Sequence, residues 1–287
     1  MMRHYRFAGV EISVDIPEDK IYKDEYRLAP FAVETVGNPQ IYKFELAKNL
    51  DKPEGVCLGK NSGDCVYQNG ERRIRYVGSI QNTLDGAYIC VKSTGKIHEV
   101  QLLEKKFPDR IGTKTVLNSL DVPHLIAQEN GFLLHCSYIE HDGKAILFTA
   151  PSETGKSTQA DLWHELRNAE IINGDRAVVR IADDEILAEG IPFAGSSKYC
   201  KNRSLSIEAI VYLGQAPQTS ICRLQGVKAF ARLWEGISVN TWDKHDIELV
   251  SDAVQKIIEK IPVFHLTCTP DEAAVIALEQ ALRKENI

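Results

Sequence analysis

Apolar and polar residues alternate along 10–16, Val-Glu-Ile-Ser-Val-Asp-Ile, the period of a half-buried strand, and Pro17 stops the run. Residues 41–46 repeat the alternation less cleanly. Strands are predicted over 73–79 and 86–93, with Asp85-Gly86 and Thr94-Gly95 as turn signals, and another over 97–103. The polar, glycine-containing stretch 51–70 predicts loops, and no repeat period is visible. The pattern changes near residue 112. Val116, Leu117, Leu120, Leu125 and Ile126 follow helical spacing over 113–130, interrupted or bent at Pro123 and ended by Gly131. Beyond that, strands alternate with at least one helix, the signature of an α/β layer. The expected organisation is a β-rich domain over 1–110 and an α/β domain over 111–287, with the boundary near 108–112.

A length of 287 residues fits two domains at about 150 residues each. With 44% hydrophobic and 26% charged residues, the chain resembles an ordinary globular protein rather than a disordered or fibrous one. No apolar run reaches the roughly 18 residues of a membrane helix; the longest candidate, 145–150, is strand-sized. The N-terminal Met1-Met2-Arg3-His4-Tyr5-Arg6-Phe7 lacks the apolar centre of a signal peptide, so a cytoplasmic protein is expected. Subtracting 40 acidic from 34 basic side chains gives −6, a poor balance for a general nucleic-acid binder. Seven cysteines with no Cys-x-x-Cys read as free thiols. Cys57 and Cys65 lack the further ligands of a metal site.

Candidate chemistry begins at 150–157. Ala150, Pro151, Ser152, Glu153, Thr154, Gly155, Lys156 and Ser157 form a phosphate-binding-loop pattern with Ala in place of the first Gly; Thr158 follows. An apolar strand over 145–149 precedes it, and a helix over 157–168 is predicted after it. Gly155 lets the backbone approach phosphate oxygens. Backbone N–H groups at the start of the helix make an anion cup. Lys156 suits the β- and γ-phosphates, and Ser157 suits Mg²⁺. Nineteen residues after Lys156 stands Asp175, expected at the tip of a strand beside the loop strand, where a metal partner is needed. Asn173-Gly174-Asp175 is also turn chemistry. Asp183-Asp184 lies between two strand-like runs, 177–181 and 185–188, and reads as a hairpin tip.

These residues give 135–195 a resemblance to the HPr kinase/phosphorylase and phosphoenolpyruvate carboxykinase superfamily. The chain is most similar to its smaller HPr-kinase-like members, some of which phosphorylate peptides. His135 stands fifteen residues before Ala150, as a catalytic-region His does before the loop in HPr kinases. Gly174-Asp175-Arg176-Ala177-Val178 resembles the acidic motif, and 190–197 resembles a Gly-x-Pro-aromatic-x-Gly loop. Leu266-Thr-Cys-Thr-Pro270-Asp271, ahead of an Ala-rich helix, adds to the likeness, which covers about 130–280. The resemblance implies an α/β fold: a P-loop kinase core of this superfamily with a β-rich N-terminal domain. It implies ATP and Mg²⁺ as cofactors, Lys156, Asp175 and His135 as catalytic residues, and Ser157 and Asp175 as metal ligands. The sequence departs from HPr kinases at Gly174, where they carry a first Asp that takes the acceptor proton. Their Arg-rich and Lys-rich loops are not clearly present either. HPr as substrate and the phosphorylase reaction are therefore not carried over.

Other candidates have bland readings beside the functional ones. Gly195, Ser196, Ser197, Lys198, Lys201 and Arg203 could contact phosphate or an acidic substrate, or form a solvated loop. His98, His124, His164, His245 and His265 lack ligand spacing, and His141 beside Asp142-Gly143 reads as a turn residue. Trp234 and Trp242 read as packing residues. A GTPase is disfavoured without Asn-Lys-x-Asp, and a transporter ATPase without Leu-Ser-Gly-Gly. The expectation is an ATP- and Mg²⁺-dependent kinase of a hydroxyl acceptor, in a peptide, a protein or a small alcohol. A nucleotide-sensing regulator without transfer is the alternative. No nucleic-acid or membrane partner is expected, and the sequence leaves the oligomeric state open.

Overall fold

A computed structural model describes residues 2–17, 21–23, 27–60, 63–79, 84–107 and 110–285, with the backbone alone at 21–23 and 110. Among the described residues the fold is mixed α/β, with two large sheets and six α-helices. The chain divides into two compact units, Met1–Asp121 and Val122–Ile287. Part of the expected boundary, 108–109, lies outside the described residues.

The first unit contains β1 (Met2–Phe7), β2 (Val10–Asp15), β3 (Ile21–Lys23), β4 (Ala32–Val33), β5 (Gln40–Ala47) and β6 (Val56–Lys60). It continues with β7 (Gly63–Asn69), β8 (Arg72–Ser79), β9 (Ile89–Thr94), β10 (Ile97–Leu103), β11 (Arg110–Gly112) and α1 (Thr113–Ser119). Nine strands form one sheet in the order β4-β1-β2-β5-β10-β9-β8-β7-β6, and β11 pairs with β3. In β2, Val10, Ile12 and Val14 are buried as the alternation predicts, but Ser13 between them is buried too, its Oγ 2.8 Å from His4 Nδ1. The expected loops over 51–70 are corrected, because β6 and β7 occupy most of that stretch. Sheet-edge strand β6 is exposed along most of its length, so no buried face imprints a period of two on its sequence. The expected strand 86–93 begins only at Ile89, since Asp85-Gly86 belongs to the preceding turn. Arg75 pairs with Asp64 at 3.1 Å and donates to the carbonyls of Asn118 and Leu120 at the end of α1, at 2.8 and 3.0 Å. A cation on a helix's last carbonyls is favourable.

The second unit contains α2 (Val122–Ala127), β12 (Gly131–His141), β13 (Lys144–Thr149), α3 (Lys156–Arg167), β14 (Glu170–Asn173), β15 (Arg176–Ala182) and β16 (Glu185–Glu189). It continues with β17 (Ser204–Gln215), β18 (Ser220–Leu224), α4 (Gly226–Trp234), β19 (Ile237–Ser238), α5 (Lys244–Lys260), β20 (Val263–Cys268) and α6 (Glu272–Glu285). The helical run expected over 113–130, interrupted or bent at Pro123, is two helices with the break earlier: the chain leaves the helix at Leu120 and re-enters at Val122, which puts Pro123 in a first turn, where its missing N–H costs nothing. Gly131 opens β12 rather than only closing a helix.

Two long strands organise this unit. The first half of β12 pairs with β15 and the second half with β13. The first residues of β17 pair with β16 and the rest with β13 and β20. Pairing β12 to β15, β16, β17, β13 and back to β12 closes a ring of strands. Helices α3 and α6 bury Ala160, Trp163, Val275 and Leu278 against one apolar cluster, and α4 and α5 bury Leu233, Val250, Val254 and Ile257 in another. On the buried side of α5, Asp246 is fully enclosed; it accepts from Gln128 and Asn240 and meets His124 Nδ1 at 2.9 Å. His124 thus links α2 to α5. Trp234 stacks on Phe230 at 5.4 Å, as a packing residue. Asp183 and Asp184 form the β15–β16 turn with left-handed backbones. Among the described residues no helix is long and apolar enough to cross a membrane.

Candidate active site

Strands β13, β17 and β20 run parallel, and the site lies at their carboxyl ends. That is where open α/β sheets leave a crevice. Strand β13 ends at Thr149, and 150–155 turn directly into α3, which starts at Lys156. Glu153 and Gly155 have left-handed backbones, with φ of 64° and 112°. Left-handed residues within a turn face successive N–H groups to one concave side. Gly155 has open space around its missing Cβ, so the φ angle, not crowding, favours glycine there.

Lys156 is 8% exposed, and its Nζ donates to the carbonyls of Ala150 and Pro151 at 3.0 and 3.1 Å. Burial holds its ammonium below the ordinary lysine range, opposed by the nearby Cys136 and Asp175. Lys156 and Ser157 line a cavity of about 460 Å³ together with His135, Asp175, Ser196, Ser197 and Lys198. Ser152 and Glu153 line it too, whereas Thr154, Gly155 and Thr158 line a second cavity, of about 510 Å³, with Gln159, Leu213 and Pro270.

Asp175 reaches this cavity by a different route from the one expected. Its strand, β14, pairs with β12, and β12 separates it from β13. The carboxylate accordingly stands one strand further from the loop strand than the sequence reading put it. Asn173 fixes the turn: its Oδ1 accepts from the N–H groups of Asp175 and Arg176 at 2.9 and 3.0 Å. Its Nδ2 donates to the carbonyls of Ile191 and Phe193 at 3.2 and 3.0 Å. One buried amide thus ties the Asp175 turn to the 190–197 loop. Two glycines let these segments touch. A Cβ on Gly174 would lie 2.4 Å from Ser197 Oγ, and one on Gly195 would lie 2.7 Å from Asp175 Oδ1. Asp175 Oδ2 accepts from Arg176 Nε at 3.0 Å.

His135 Nδ1 lies 3.0 Å from the Asp175 carbonyl and 3.6 Å from its Oδ1. Burial, and then the positive Lys156, hold the imidazole below its ordinary value. Thr149 Oγ1 donates to the His135 carbonyl at 2.9 Å, linking the histidine's strand to the foot of the loop.

The expected basic cluster divides. Lys201 bonds Glu170, and Arg203 holds Glu140 through two bonds of 2.9 Å, so neither lines the cavity. Lys198 remains there. Charge-pair partners far apart in the chain decided this, and spacing alone carries no sign of them. The sequence names Asn173 only as turn chemistry with Gly174-Asp175 and carries no sign of its bonds to the 190–197 loop. The sequence reading missed Ser137 and Tyr199, which line the cavity without any local motif. All seven cysteines are free thiols.

No family model matches the chain, and no curated protein matches it. Among solved structures it is similar to the HPr(Ser) kinase/phosphatase from Coxiella burnetii, at 11% sequence identity and a TM-score of 0.32, over 54% of this chain and 95% of that one. The likeness is loose.

Proposed function

We propose that the protein is a kinase that transfers the γ-phosphoryl group of ATP to a hydroxyl acceptor. One observation carries the reading: a strand–loop–helix turn with Lys156 and Ser157 at its helix start shares a single cavity with Asp175 and His135. Backbone N–H groups of 150–157 and the positive end of α3 attract the phosphates. Lys156, which donates to two carbonyls, would hold phosphate oxygens in their place and would neutralise charge there. The donor set fits Mg²⁺, because the Ser157 hydroxyl and the Asp175 carboxylate are hard oxygen ligands on one cavity. With Arg176 on Oδ2, Asp175 Oδ1 is the oxygen to offer. Bound Mg-ATP supplies the transferable phosphoryl group and the charge neutralisation that such transfers need. His135, with Nδ1–H committed to the Asp175 carbonyl, keeps Nε2 as the ring nitrogen with the lone pair on the same cavity. Positioning and electrostatics dominate phosphoryl transfer, so the Gly174 departure does not by itself abolish it.

The test is thermal unfolding with Mg-ATP, followed by a search for phosphorylated product. A nucleotide at a hundred times its Kd stabilises by about 2.7 kcal/mol. Lys156→Ala is expected to lose that stabilisation. Equal stabilisation of wild type and variant would sink the nucleotide assignment. Binding without product across a broad acceptor screen would favour the regulator instead.

A further inference from the structure

We infer that Lys198 selects an acceptor bearing its own negative charge, a small hydroxyl compound with a carboxylate or phosphate-ester group. The inference rests on the nucleotide reading of the same cavity.

Three cations follow the 190–197 loop, and two are consumed by fixed partners: Lys201 by Glu170 and Arg203 by Glu140. Lys198 has no carboxylate at ion-pair distance among the described residues. Its Nζ stands 5.0 Å from the centroid of the Tyr199 ring. That ring packs against the apolar cluster behind α3, so the ammonium rests on an anchored surface. The backbone beneath is held at several points. Tyr199 N–H donates to Ser197 Oγ at 3.1 Å, Ser197 N–H to the Ala194 carbonyl at 2.7 Å, and Lys201 N–H to the Ile172 carbonyl at 3.1 Å. Asn173 holds the loop from the other side. A cation presented from a pinned segment loses less freedom on binding than one on a loose loop.

The cavity has two cationic side chains from separate elements, Lys156 from α3 and Lys198 from the segment after the loop, beside the carboxylates of Glu153, Asp161 and Asp175. Lys156 belongs to the phosphate end of the nucleotide. Lys198, beside the hydroxyls of Ser196 and Ser197, remains for what lies beyond it. A cavity of about 460 Å³ falls within the range that encloses a small molecule. In the reaction, the acceptor oxygen forms a bond to the γ-phosphorus. The bond from that phosphorus to the bridging oxygen breaks, its electron pair leaving on ADP, and the hydroxyl proton passes to water.

The experiment uses the full chain with Mg-ATP and three probes that share a hydroxyl: glycerol, D-glycerate and glycerol 3-phosphate. Phosphorylated product is measured by mass, and ATP binding by titration. D-glycerate or glycerol 3-phosphate is expected to react with a KM at least tenfold below that of glycerol, and which one reacts identifies the anion. Loss of one charge-assisted contact corresponds to roughly a ten- to hundredfold weaker acceptor. Lys198→Gln should raise the acceptor KM by that factor, with a smaller change in kcat, and Lys198→Arg should recover most of it. Equal or better use of glycerol overturns the inference, as does an unchanged KM in Lys198→Gln. A fall in kcat alone also overturns it and moves Lys198 to the nucleotide. If ATP binds and neither anionic probe reacts, only this inference falls. If ATP does not bind, the nucleotide reading falls with it.

Discussion

His135 donates its Nδ1 hydrogen to the backbone carbonyl of Asp175 across 3.0 Å. A carbonyl can only accept, so the tautomer is fixed with Nδ1 protonated and Nε2 holding the lone pair. The same carbonyl accepts from the Cys136 N–H at 3.1 Å, so the histidine and the turn carrying Asp175 are fastened together.

This arrangement sets a pH dependence. Burial and Lys156 lower the His135 pKa below its ordinary 6.5. The folded state therefore prefers neutral imidazole, and the unfolded chain binds the proton more readily. The stability that His135 contributes is complete above about pH 6.5 and is lost as pH falls from there through the lowered folded value. Wild type should lose more melting temperature between pH 7 and pH 5 than His135→Gln does. Melting curves of both proteins across that range check this, and a variant with the same or a steeper slope would contradict it.

Asn173 is fully buried, and its amide makes four hydrogen bonds, two accepted and two donated. Asn173→Ala leaves two N–H groups and two carbonyls without those partners. The expected cost is about 2–4 kcal/mol, since each buried group left unpaired costs about 1–3 and such costs do not simply add. Asn173→Asp keeps an acceptor for Asp175 and Arg176 but sets a carboxylate against two carbonyls, so it should also destabilise. Denaturant unfolding measures both, and an unchanged midpoint in Asn173→Ala would remove this amide from its structural role.

Gly174 and Ser197 are expected to behave as one unit. A Cβ at 174 would meet Ser197 Oγ at 2.4 Å and Ser197 Cβ at 2.9 Å. Gly174→Ala alone should cost about 1–3 kcal/mol, as overpacking does. The same change in a Ser197→Gly background should cost clearly less, a coupling of at least about 0.5 kcal/mol. A double-mutant cycle on unfolding free energies reads it out, and additivity would refute the contact.

The 150–157 segment, its entry strand and its exit helix could be read from consecutive residues, because strand period, Gly155 and helix start are properties of neighbours in the chain. The hairpin tip at Asp183-Asp184 was legible for the same reason. Strands β6 and β7 were not: β6 is an exposed edge strand, and β7 buries the consecutive Cys65 and Val66, so neither leaves an alternation to read.

By itself, the sequence determined the α/β character of the second unit, the β-rich first unit and the candidate residues Lys156, Ser157, Asp175 and His135. Only tertiary structure decided which of them share a cavity. It inserted β12 between β13, which leads to the Lys156 loop, and β14, which leads to Asp175, and it made Asn173 the link between turn and loop. It also removed Lys201 and Arg203 from the basic cluster while leaving Lys198 in place. The physical reason is that patterning is fixed by burial along one element. Strand order and charge pairing depend instead on residues distant in sequence, whose approach no local spacing encodes.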